Sequence, residues 1–298
     1  MVRKLSAFLL SLTLLAGAWV PKTAEAQTAD AQKADENSLL WKISGRGIAQ
    51  PSYLFGTVHM ICPQDFFLTP AAKTAFAQVK TIYLEVNLED ASAPMKLLEL
   101  VQLGNGRTLN SFFDSADYAL LGQFVHDTLQ MDIHYLERYK PIMLYSLLSA
   151  RILPCAKEQA YEMEFVQMAR DQKKPVRGLE TLEDQVAVFD SISAGEQASM
   201  IMDVVRNYNA QKRDFSHLIE VYKTQNIDSL YKMVEESPDT KVNQDLLLFS
   251  RNRKWIPIIS GAIHQAPCFI AVGAGHLGGP QGLIALLRKQ GYTVKPLL

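Results

Sequence analysis

Two apolar segments, one near each end of this 298-residue chain, finish with a glycine and then a histidine three residues later. One segment is YLFGTVH, which contains Gly56 and His59, and the other is CFIAVGAGH, which contains Gly273 and His276. Each segment has the length and the aromatic or β-branched content of a buried strand. A strand that ends on small residues and carries an imidazole just past its carboxyl end is a common way to build a site. The pair therefore predicts one domain that both ends of the chain complete, with both histidines in a single site.

The same short motif also arises by chance, so its context decides its weight. Gly261 and His264 repeat the spacing at the end of a predicted amphipathic helix, where we interpret it as accidental. For His59 and His276 the alternative is a partly buried imidazole that hydrogen-bonds to a loop carbonyl.

The rest of the chain predicts a mixture of strands and helices. Strands are expected at residues 39–43, 53–56, 81–86, 175–178, 268–272 and 292–295. Helices are expected at residues 71–79, 161–172, 181–192, 242–264 and 281–290, with two or three more between 196 and 237. Residues 93–153 carry apolar side chains at helical spacing throughout. This order predicts an α/β fold with a mixed central sheet flanked by helices and a large helical block between the amino- and carboxyl-terminal parts of the sheet.

The first 26 residues have the layout of a cleaved signal peptide, with Arg3 and Lys4 before an apolar run at 5–20 and an Ala-Glu-Ala triplet at 24–26. A membrane anchor is the alternative, but the run is short for a span of about 20 residues. Residues 27–37 form a predicted flexible linker, and residues 38–298 a single domain. We therefore expect a periplasmic or extracellular protein without stable membrane insertion after signal removal.

The net charge and the cysteines indicate which binding partners and which cellular compartment are expected. Lys plus Arg total 30 and Asp plus Glu total 31, so the net charge is −1 and no nucleic-acid partner is expected. An oxidising compartment permits one disulfide among Cys62, Cys155 and Cys268. Cys62 and Cys155 lie in proline-adjacent, loop-like contexts, which favours that pair. Cys268 begins an apolar run and is expected to be a buried thiol.

Two glutamates are further candidates for the site. Glu85 interrupts the apolar segment TIYLEV, and a carboxylate buried in a central strand needs a partner or a metal. The alternative is an edge strand with Glu85 facing water. Glu180 follows a predicted strand and also stands at a predicted helix start, where the helix dipole favours a negative charge. Glu180 is therefore either a site carboxylate or a helix cap.

The pair Arg251-Asn252 lies within an apolar helical pattern. The arginine could extend to solvent, pair with Glu85 or Glu180, or stabilise a developing negative charge. Imidazoles together with carboxylates suit a divalent ion such as Mn²⁺, Co²⁺ or Zn²⁺. Such an ion lowers the pKa of a bound water and polarises a carbonyl, and a spare carboxylate takes the proton. The chemistry that these residues imply is metal-assisted hydrolysis.

Five segments together resemble the TraB/PrgY/GumN family, which is similar to the Tiki metalloproteases. They are FGTVH at 55–59, Leu84-Glu85, GLET at 178–181, Arg251-Asn252 and VGAGHLGG at 272–279, and the resemblance extends from residue 39 to the end. It implies His59, His276 and Glu85 as metal ligands and Glu85, Glu180 and Arg251 as catalytic residues. The supporting residues that it implies are Gly56, Gly273, Gly275, Asn252 and Glu164.

Three functions are then compared. The first is an exported metal-dependent hydrolase, expected to be a peptidase that acts on peptide or protein substrates through a metal-activated water. The second is a non-catalytic protein of the envelope that binds a peptide or other ligand in the same cleft and regulates signalling. The third is a structural interaction domain with incidental histidines, which requires His59 and His276 to lie far apart. No oligomeric state follows from the sequence.

Overall fold

Strands from both ends of the chain meet in one six-stranded sheet. The computed structural model describes residues 37–237 and 243–298. The predicted signal peptide lies outside the described residues, and so does the predicted linker apart from Asn37. The division into signal peptide, linker and single domain stays a prediction.

Strands and helices are mixed along the chain, with runs of consecutive helices between residues 86 and 159 and between residues 180 and 268. The strands are β1 (Leu40–Ser44), β2 (Ser52–Thr57), β3 (Met60–Ile61), β4 (Thr81–Val86), β5 (Gln159–Ala160), β6 (Val176–Glu180), β7 (Cys268–Gly273) and β8 (Thr293–Pro296). The α-helices are α1 (Pro70–Gln78), α2 (Ala93–Leu100), α3 (Ser115–Leu129), α4 (Pro141–Ser149), α5 (Tyr161–Asp171), α6 (Leu182–Asp190), α7 (Ala194–Lys223), α8 (Ile227–Glu236), α9 (Ser250–Gln265) and α10 (Leu283–Lys289).

The order of strands in the main sheet is β6-β4-β7-β2-β1-β8. The first four strands are parallel to one another, whereas β1 is antiparallel to both β2 and β8. Every residue of β2 and β7 is buried, as expected for central strands covered on both faces. The predicted α/β fold with a mixed central sheet is confirmed, and four strand ends share one edge.

Aromatic side chains fill the space between the centre of the sheet and the helices next to it. The Phe55 ring lies 5.5 Å from that of Phe165 and 5.9 Å from that of Phe269, centroid to centroid. Phe76 of α1 packs on the ring of Phe269 at 5.2 Å. These rings are almost completely buried, so the core lies directly beneath the strands that reach the candidate site.

The helical block is less continuous than the sequence pattern predicts. Residues 93–153 contain α2, α3 and α4, separated by loops and by two short 3₁₀ turns at Leu109–Phe112 and Ile133–Leu136. Asn105 and Gly106 have positive φ angles of 56° and 68°, so the chain turns there instead of continuing as helix. Asp114 caps α3, and Pro141 begins α4. The prediction of helix throughout this block is therefore wrong.

Two boundaries near the candidate site also differ from the predictions. The predicted strand at 175–178 extends to Glu180, and Thr181, not Glu180, caps α6 through a capping box with Asp184. The predicted helix at 242–264 begins outside the described residues. Its described part starts with a π-helical turn, Asp245–Phe249, before α9. Side-chain caps and π turns are local features that the apolar period does not encode.

A two-stranded sheet formed by β3 and β5 was not expected from the sequence. Met60 pairs with Ala160, and Ile61 pairs with Gln159. Immediately beyond this pair Cys62 and Cys155 form a disulfide with Cα atoms 5.9 Å apart, and Cys268 is a buried free thiol. The disulfide links positions 93 residues apart, which by the chain-entropy argument contributes about 4–5 kcal/mol to stability.

Within the described residues, no helix combines the length and the apolar character that a bilayer span needs.

Candidate functional site

The site lies at the edge of the sheet where the parallel strands β6, β4, β7 and β2 end. Glu180 is the last residue of β6, and Glu85 is the penultimate residue of β4. His59 follows β2 by two residues, and His276 lies in the 3₁₀ turn after β7. In open α/β sheets, ligands bind beyond the carboxyl ends of parallel strands, so these four side chains lie where the topology favours a site.

Glu85 is at the centre of the site and is 1 % exposed, so it does not face water. Its Oε1 lies 3.7 Å from His59 Nε2 and 3.8 Å from His276 Nε2, and it accepts the Gly273 N–H at 2.8 Å. Its Oε2 accepts a hydrogen bond from Arg251 Nη2 at 2.6 Å. Burial raises the pKa of Glu85, but the Arg251 charge, the two histidines and the Gly273 amide together lower it to about 2. Glu85 is therefore an ionised carboxylate between two imidazoles.

A second buried carboxylate, Glu162, orients His59. Its Oε1 lies 2.8 Å from His59 Nδ1 and also accepts the Thr57 hydroxyl at 2.7 Å. An ionised carboxylate only accepts hydrogen bonds, so Nδ1 carries the proton and Nε2 is directed toward Glu85. Burial lowers the pKa of His59, but Glu162 and then Glu85 raise it more, and the net shift is upward. The His59 backbone is in the left-handed region, with φ of +48°.

Asn252 orients His276 in a different way. Its Nδ2 donates to the carbonyls of His276 and Gln281 at 3.2 and 2.9 Å, which leaves its Oδ1 to accept His276 Nδ1–H at 2.7 Å. His276 Nε2 then faces Arg251 Nη1 at 3.2 Å and Glu85. Burial lowers the pKa of His276, Glu85 compensates only in part, and Arg251 lowers it further, to about 3. His276 is therefore neutral at physiological pH.

Arg251 joins the two glutamates at the strand ends. Besides the bond to Glu85, its Nη2 donates to Glu180 Oε1 at 2.6 Å, and its Nε donates to Glu180 Oε2 at 3.2 Å. The side chain is 4 % exposed. Burial lowers the pKa of Arg251, but Glu85 and Glu180 raise it above its ordinary value. A permanent charge thus stands between two buried carboxylates, and neither carboxylate is left uncompensated.

Glu180 connects this buried cluster to a cavity of about 420 Å³. The cavity walls include Asp90, Lys96 and Ile258 as well as Glu180 itself. Burial raises the pKa of Glu180, although the Arg251 charge lowers it in part. The Trp255 indole donates to Glu180 Oε2 at 3.2 Å. Glu180 is therefore the carboxylate of the cluster that also lines the space open to a ligand.

The glycines that the resemblance implies act through their backbone. A Cβ atom on Gly56 would approach the Ala274 backbone to 3.2 Å and the Leu277 side chain to 3.1 Å, so glycine lets the turn that carries His276 pack against β2. A Cβ on Gly275 would meet Val234 at 3.3 Å. Gly273 supplies the N–H that Glu85 accepts. Small residues at both strand ends allow the two histidine segments to approach each other.

The structure separates two glutamates of α5: Glu162 lies in the site, whereas Glu164, the supporting residue that the resemblance implies, does not contact it. Glu164 is half-buried, and its Oε2 accepts a hydrogen bond from Gln159 Nε2 at 3.4 Å. The sequence does contain a signal for Glu162. At helical spacing it shares the apolar face of Phe165, Val166 and Ala169, all of which are buried, whereas Glu164 lies beside that face.

The third Gly-x-x-His motif lies away from the site. His264 is exposed near the end of α9, where its Nδ1 lies 2.8 Å from the Ser260 carbonyl one helical turn earlier. The interpretation of this motif as accidental agrees with that position.

The donor atoms suit a divalent ion in their chemistry. Among residues 37–237 and 243–298, no three His, Cys, Asp or Glu side chains are arranged as a finished metal site. The triad of His59, Glu85 and His276 has the 3.7 and 3.8 Å separations given above. Two ligand atoms on one such ion are about 3.0–3.4 Å apart, so each imidazole nitrogen lies a few tenths of an ångström farther from Glu85 Oε1 than a shared ion requires. Partners on both Nδ1 atoms, which direct Nε2 inward, are typical of metal-binding histidines.

Comparison with known proteins identifies the class of this fold and site. The chain matches the TraB/PrgY/gumN family over residues 39–296 and belongs to that family, as the resemblance implies. Similar curated proteins include Metalloprotease TIKI2 of Danio rerio, 23% identical over an alignment that covers 88% of this chain and 61% of that protein. Metalloprotease TIKI1 of Homo sapiens is 23% identical over an alignment that covers 89% of this chain and 63% of that protein. The chain thus spans about six-tenths of the length of these relatives. No solved structure matches it.

Proposed function

We propose that this protein is an exported metal-dependent hydrolase that cleaves peptide bonds in peptide or protein substrates. The observation that carries the proposal is the convergence of His59 Nε2 and His276 Nε2 on Glu85 Oε1 at the carboxyl edge of the sheet. The third function, a structural domain with incidental histidines, requires those imidazoles to be far apart, and they are not. The names of the similar proteins, Metalloprotease TIKI1 and TIKI2, favour the same chemistry.

Each residue of the cluster has a separate task in this proposal. His59, His276 and Glu85 would hold the divalent ion, which is Mn²⁺, Co²⁺ or Zn²⁺ by donor type. When bound, such an ion supplies Lewis acidity and a lowered pKa for a water molecule. Glu180 lines the cavity, and burial raises its pKa, so it is placed to accept the proton of the nucleophile and to deliver it to the leaving amine. Arg251 keeps Glu85 ionised and holds the Glu180 carboxylate in one orientation.

Elemental analysis of purified protein tests the proposal at its first step. We expect about one divalent ion per chain in the wild type, hydrolysis of a peptide library, and loss of both on chelation. The double variant His59→Ala/His276→Ala should contain no ion. His264→Ala is the matched control, because it removes the histidine of the third Gly-x-x-His motif, which is exposed and outside the site. Equal metal content in the wild type and the double variant would refute the proposal.

A second candidate function is a non-catalytic binding protein that captures a peptide in the same cavity. The Arg251 guanidinium favours it, because this group already donates to Glu85, Glu180 and His276 Nε2 and so satisfies the cluster without an ion. The two functions separate in one experiment. A binding protein retains its affinity for a peptide ligand after chelation and in His59→Ala, whereas a hydrolase loses turnover under both conditions.

Export is the third part of the proposal. It is supported by the signal-peptide pattern of residues 1–26 and by the disulfide between Cys62 and Cys155, because such bonds persist in oxidising compartments. Fractionation of cells that express the full chain, followed by amino-terminal sequencing, should recover a form that begins at Gln27 outside the cytoplasm. A cytoplasmic protein that retains residues 1–26 would contradict export.

A further inference from the structure

The backbone on both sides of the contact between His59 and Glu162 is held by one compact unit. This unit consists of the strand pair β3 and β5 together with the Cys62–Cys155 disulfide, and we call it the clasp. His59 immediately precedes β3, and Glu162 is the second residue of α5, which begins directly after β5. The clasp therefore joins the two chain segments that carry the imidazole and its carboxylate.

The clasp also adjoins the start of α5. No side chain caps this helix: its N-cap position is Ala160. Instead, the N–H of Tyr161 donates to the His59 carbonyl at 3.1 Å. The helix start is thus bonded to the residue that Glu162 must orient, and the two strands and the disulfide lie directly behind that bond.

Both partners need such support. His59 has a φ angle of +48°, a region that residues other than glycine occupy only when the surrounding structure holds them there. Glu162 forms its hydrogen bonds through Oε1 alone, because its Oε2 is buried and has no hydrogen-bond partner among the described residues. One anchored oxygen does not fix a carboxylate, so its position follows from the backbone of α5.

We propose that Glu162 and the Cys62–Cys155 disulfide are positioning residues for His59. The clasp fixes Glu162 relative to the strand end, and Glu162 fixes the tautomer and the direction of the His59 imidazole. The consequence for the ion rests on the proposed function: with the clasp closed, His59 Nε2 is presented to the cation beside Glu85. Opening the clasp releases His59 without removing any ligand.

The first test replaces the carboxylate and leaves the disulfide intact. In Glu162→Gln the amide cannot act as an ionised acceptor for Nδ1–H, so we expect the Zn²⁺ and Mn²⁺ affinities to fall about 10- to 100-fold in competition with a chromophoric chelator. Glu164→Gln is the matched control on the same helix and should change them less than about twofold. Glu162→Asp, which keeps the charge, should recover part of the loss.

The same variants and Glu162→Leu are compared without any metal by imidazole ¹⁵N NMR. Wild type and Glu164→Gln should show His59 with a slowly exchanging Nδ1–H. Glu162→Gln keeps an acceptor oxygen and should retain the tautomer, as the amide of Asn252 does for His276, whereas Glu162→Leu removes the acceptor and should lose the Nδ1–H signature. A merely structural role for Glu162 would lower stability and leave the His59 tautomer unchanged in Glu162→Leu. That result, or equal metal affinities for Glu162→Gln and Glu164→Gln, would overturn the proposal.

The second test opens the disulfide. A water-soluble phosphine reduces it, with water supplying two thiol protons as the phosphine becomes its oxide, and the reagent is removed before titration. We expect faster amide hydrogen exchange in residues 57–62 and 159–162 than in β4 and β7, and metal affinity lower by about tenfold. Cys268→Ala should respond to reduction as the wild type does, and Cys62→Ser/Cys155→Ser should not respond. Unchanged exchange at 57–62 and 159–162 would refute the clasp.

The outcomes distinguish this proposal from the proposed function. A wild type that binds no ion refutes the metal chemistry, while the His59 tautomer and the hydrogen exchange still decide the positioning role. A wild type that binds an ion equally well with the clasp open refutes the positioning role alone. If the double cysteine variant does not fold, Glu162→Gln in the oxidised protein still decides the matter.

Discussion

The two Gly-x-x-His segments follow neighbouring parallel strands, β2 and β7, yet they support their imidazoles in different ways. His59 has a left-handed backbone, and its Nδ1 faces the carboxylate of Glu162. His276 lies in a 3₁₀ turn, and its Nδ1 faces the amide oxygen of Asn252. The carboxylate raises the pKa of His59, whereas burial lowers that of His276. The same motif thus provides one imidazole whose pKa is raised and one whose pKa is lowered.

The largest effect is expected from Arg251, whose guanidinium contacts His276. Arg251→Leu leaves Glu85 and Glu180 buried without a cation and should lower the free energy of unfolding by about 3–5 kcal/mol. Urea unfolding measures the difference. Arg253→Leu, which removes an exposed partner of Asp245, is the control and should cost less than about 1 kcal/mol. Equal effects of the two variants would show that the buried charges are not coupled as described.

The second prediction exchanges one type of histidine support for the other. Asn252→Asp gives His276 a carboxylate partner, as His59 has, but it removes both N–H bonds to the carbonyls of His276 and Gln281. We expect a loss of about 2–3 kcal/mol in urea unfolding, because two buried carbonyls lose their donors. NMR titration should also show a raised pKa for His276. A variant as stable as the wild type would mean that the amide donors contribute little.

The third prediction concerns pH in the metal-free protein. The pKa of His59 is raised above 6.5 by folding, so its contribution to stability is present below pH 6.5 and is lost as pH rises through the folded value. The pKa of His276 is lowered to about 3, so its contribution is present above pH 6.5 and is lost as pH falls toward 3. Each histidine changes the free energy of unfolding by at most about 1.4 kcal/mol per pH unit. NMR titration should find His59 protonated where His276 is neutral; the reverse order would contradict the comparison.

The smallest effect is expected at the strand that leads to His59. The Tyr222 hydroxyl donates to the Gly56 carbonyl at 2.9 Å inside the core. Tyr222→Phe keeps the ring and removes this bond, so we expect a loss of about 1–2 kcal/mol in thermal or urea unfolding. Tyr208→Phe is the control, because its hydroxyl bonds to an exposed carbonyl, that of Arg151, and it should change stability by less than about 0.5 kcal/mol.

Local patterns predicted much of the fold, because each central strand is short, apolar and uninterrupted except at the site. That pattern identified β2, β4 and β7 and the side chains at their ends, including Glu85 in an otherwise apolar strand. Two-residue strands such as β3 and β5 have no period to detect. Glu162 was missed because its partner lies 103 residues away. Its position on the apolar face of α5 separates it from Glu164, but only the tertiary fold shows that His59 is its partner. The task of Glu180 likewise depends on Arg251, 71 residues further on.

The strand order has a consequence for how the protein is made. β7 lies between β2 and β4 and pairs with both of them. These two strands are therefore joined in the sheet only when a segment far along the chain enters between them. During synthesis the chain emerges amino end first, and His59 and Glu85 are exposed long before His276 exists. A chain that lacks β7 and the turn after it therefore cannot bring His276 beside Glu85 and His59.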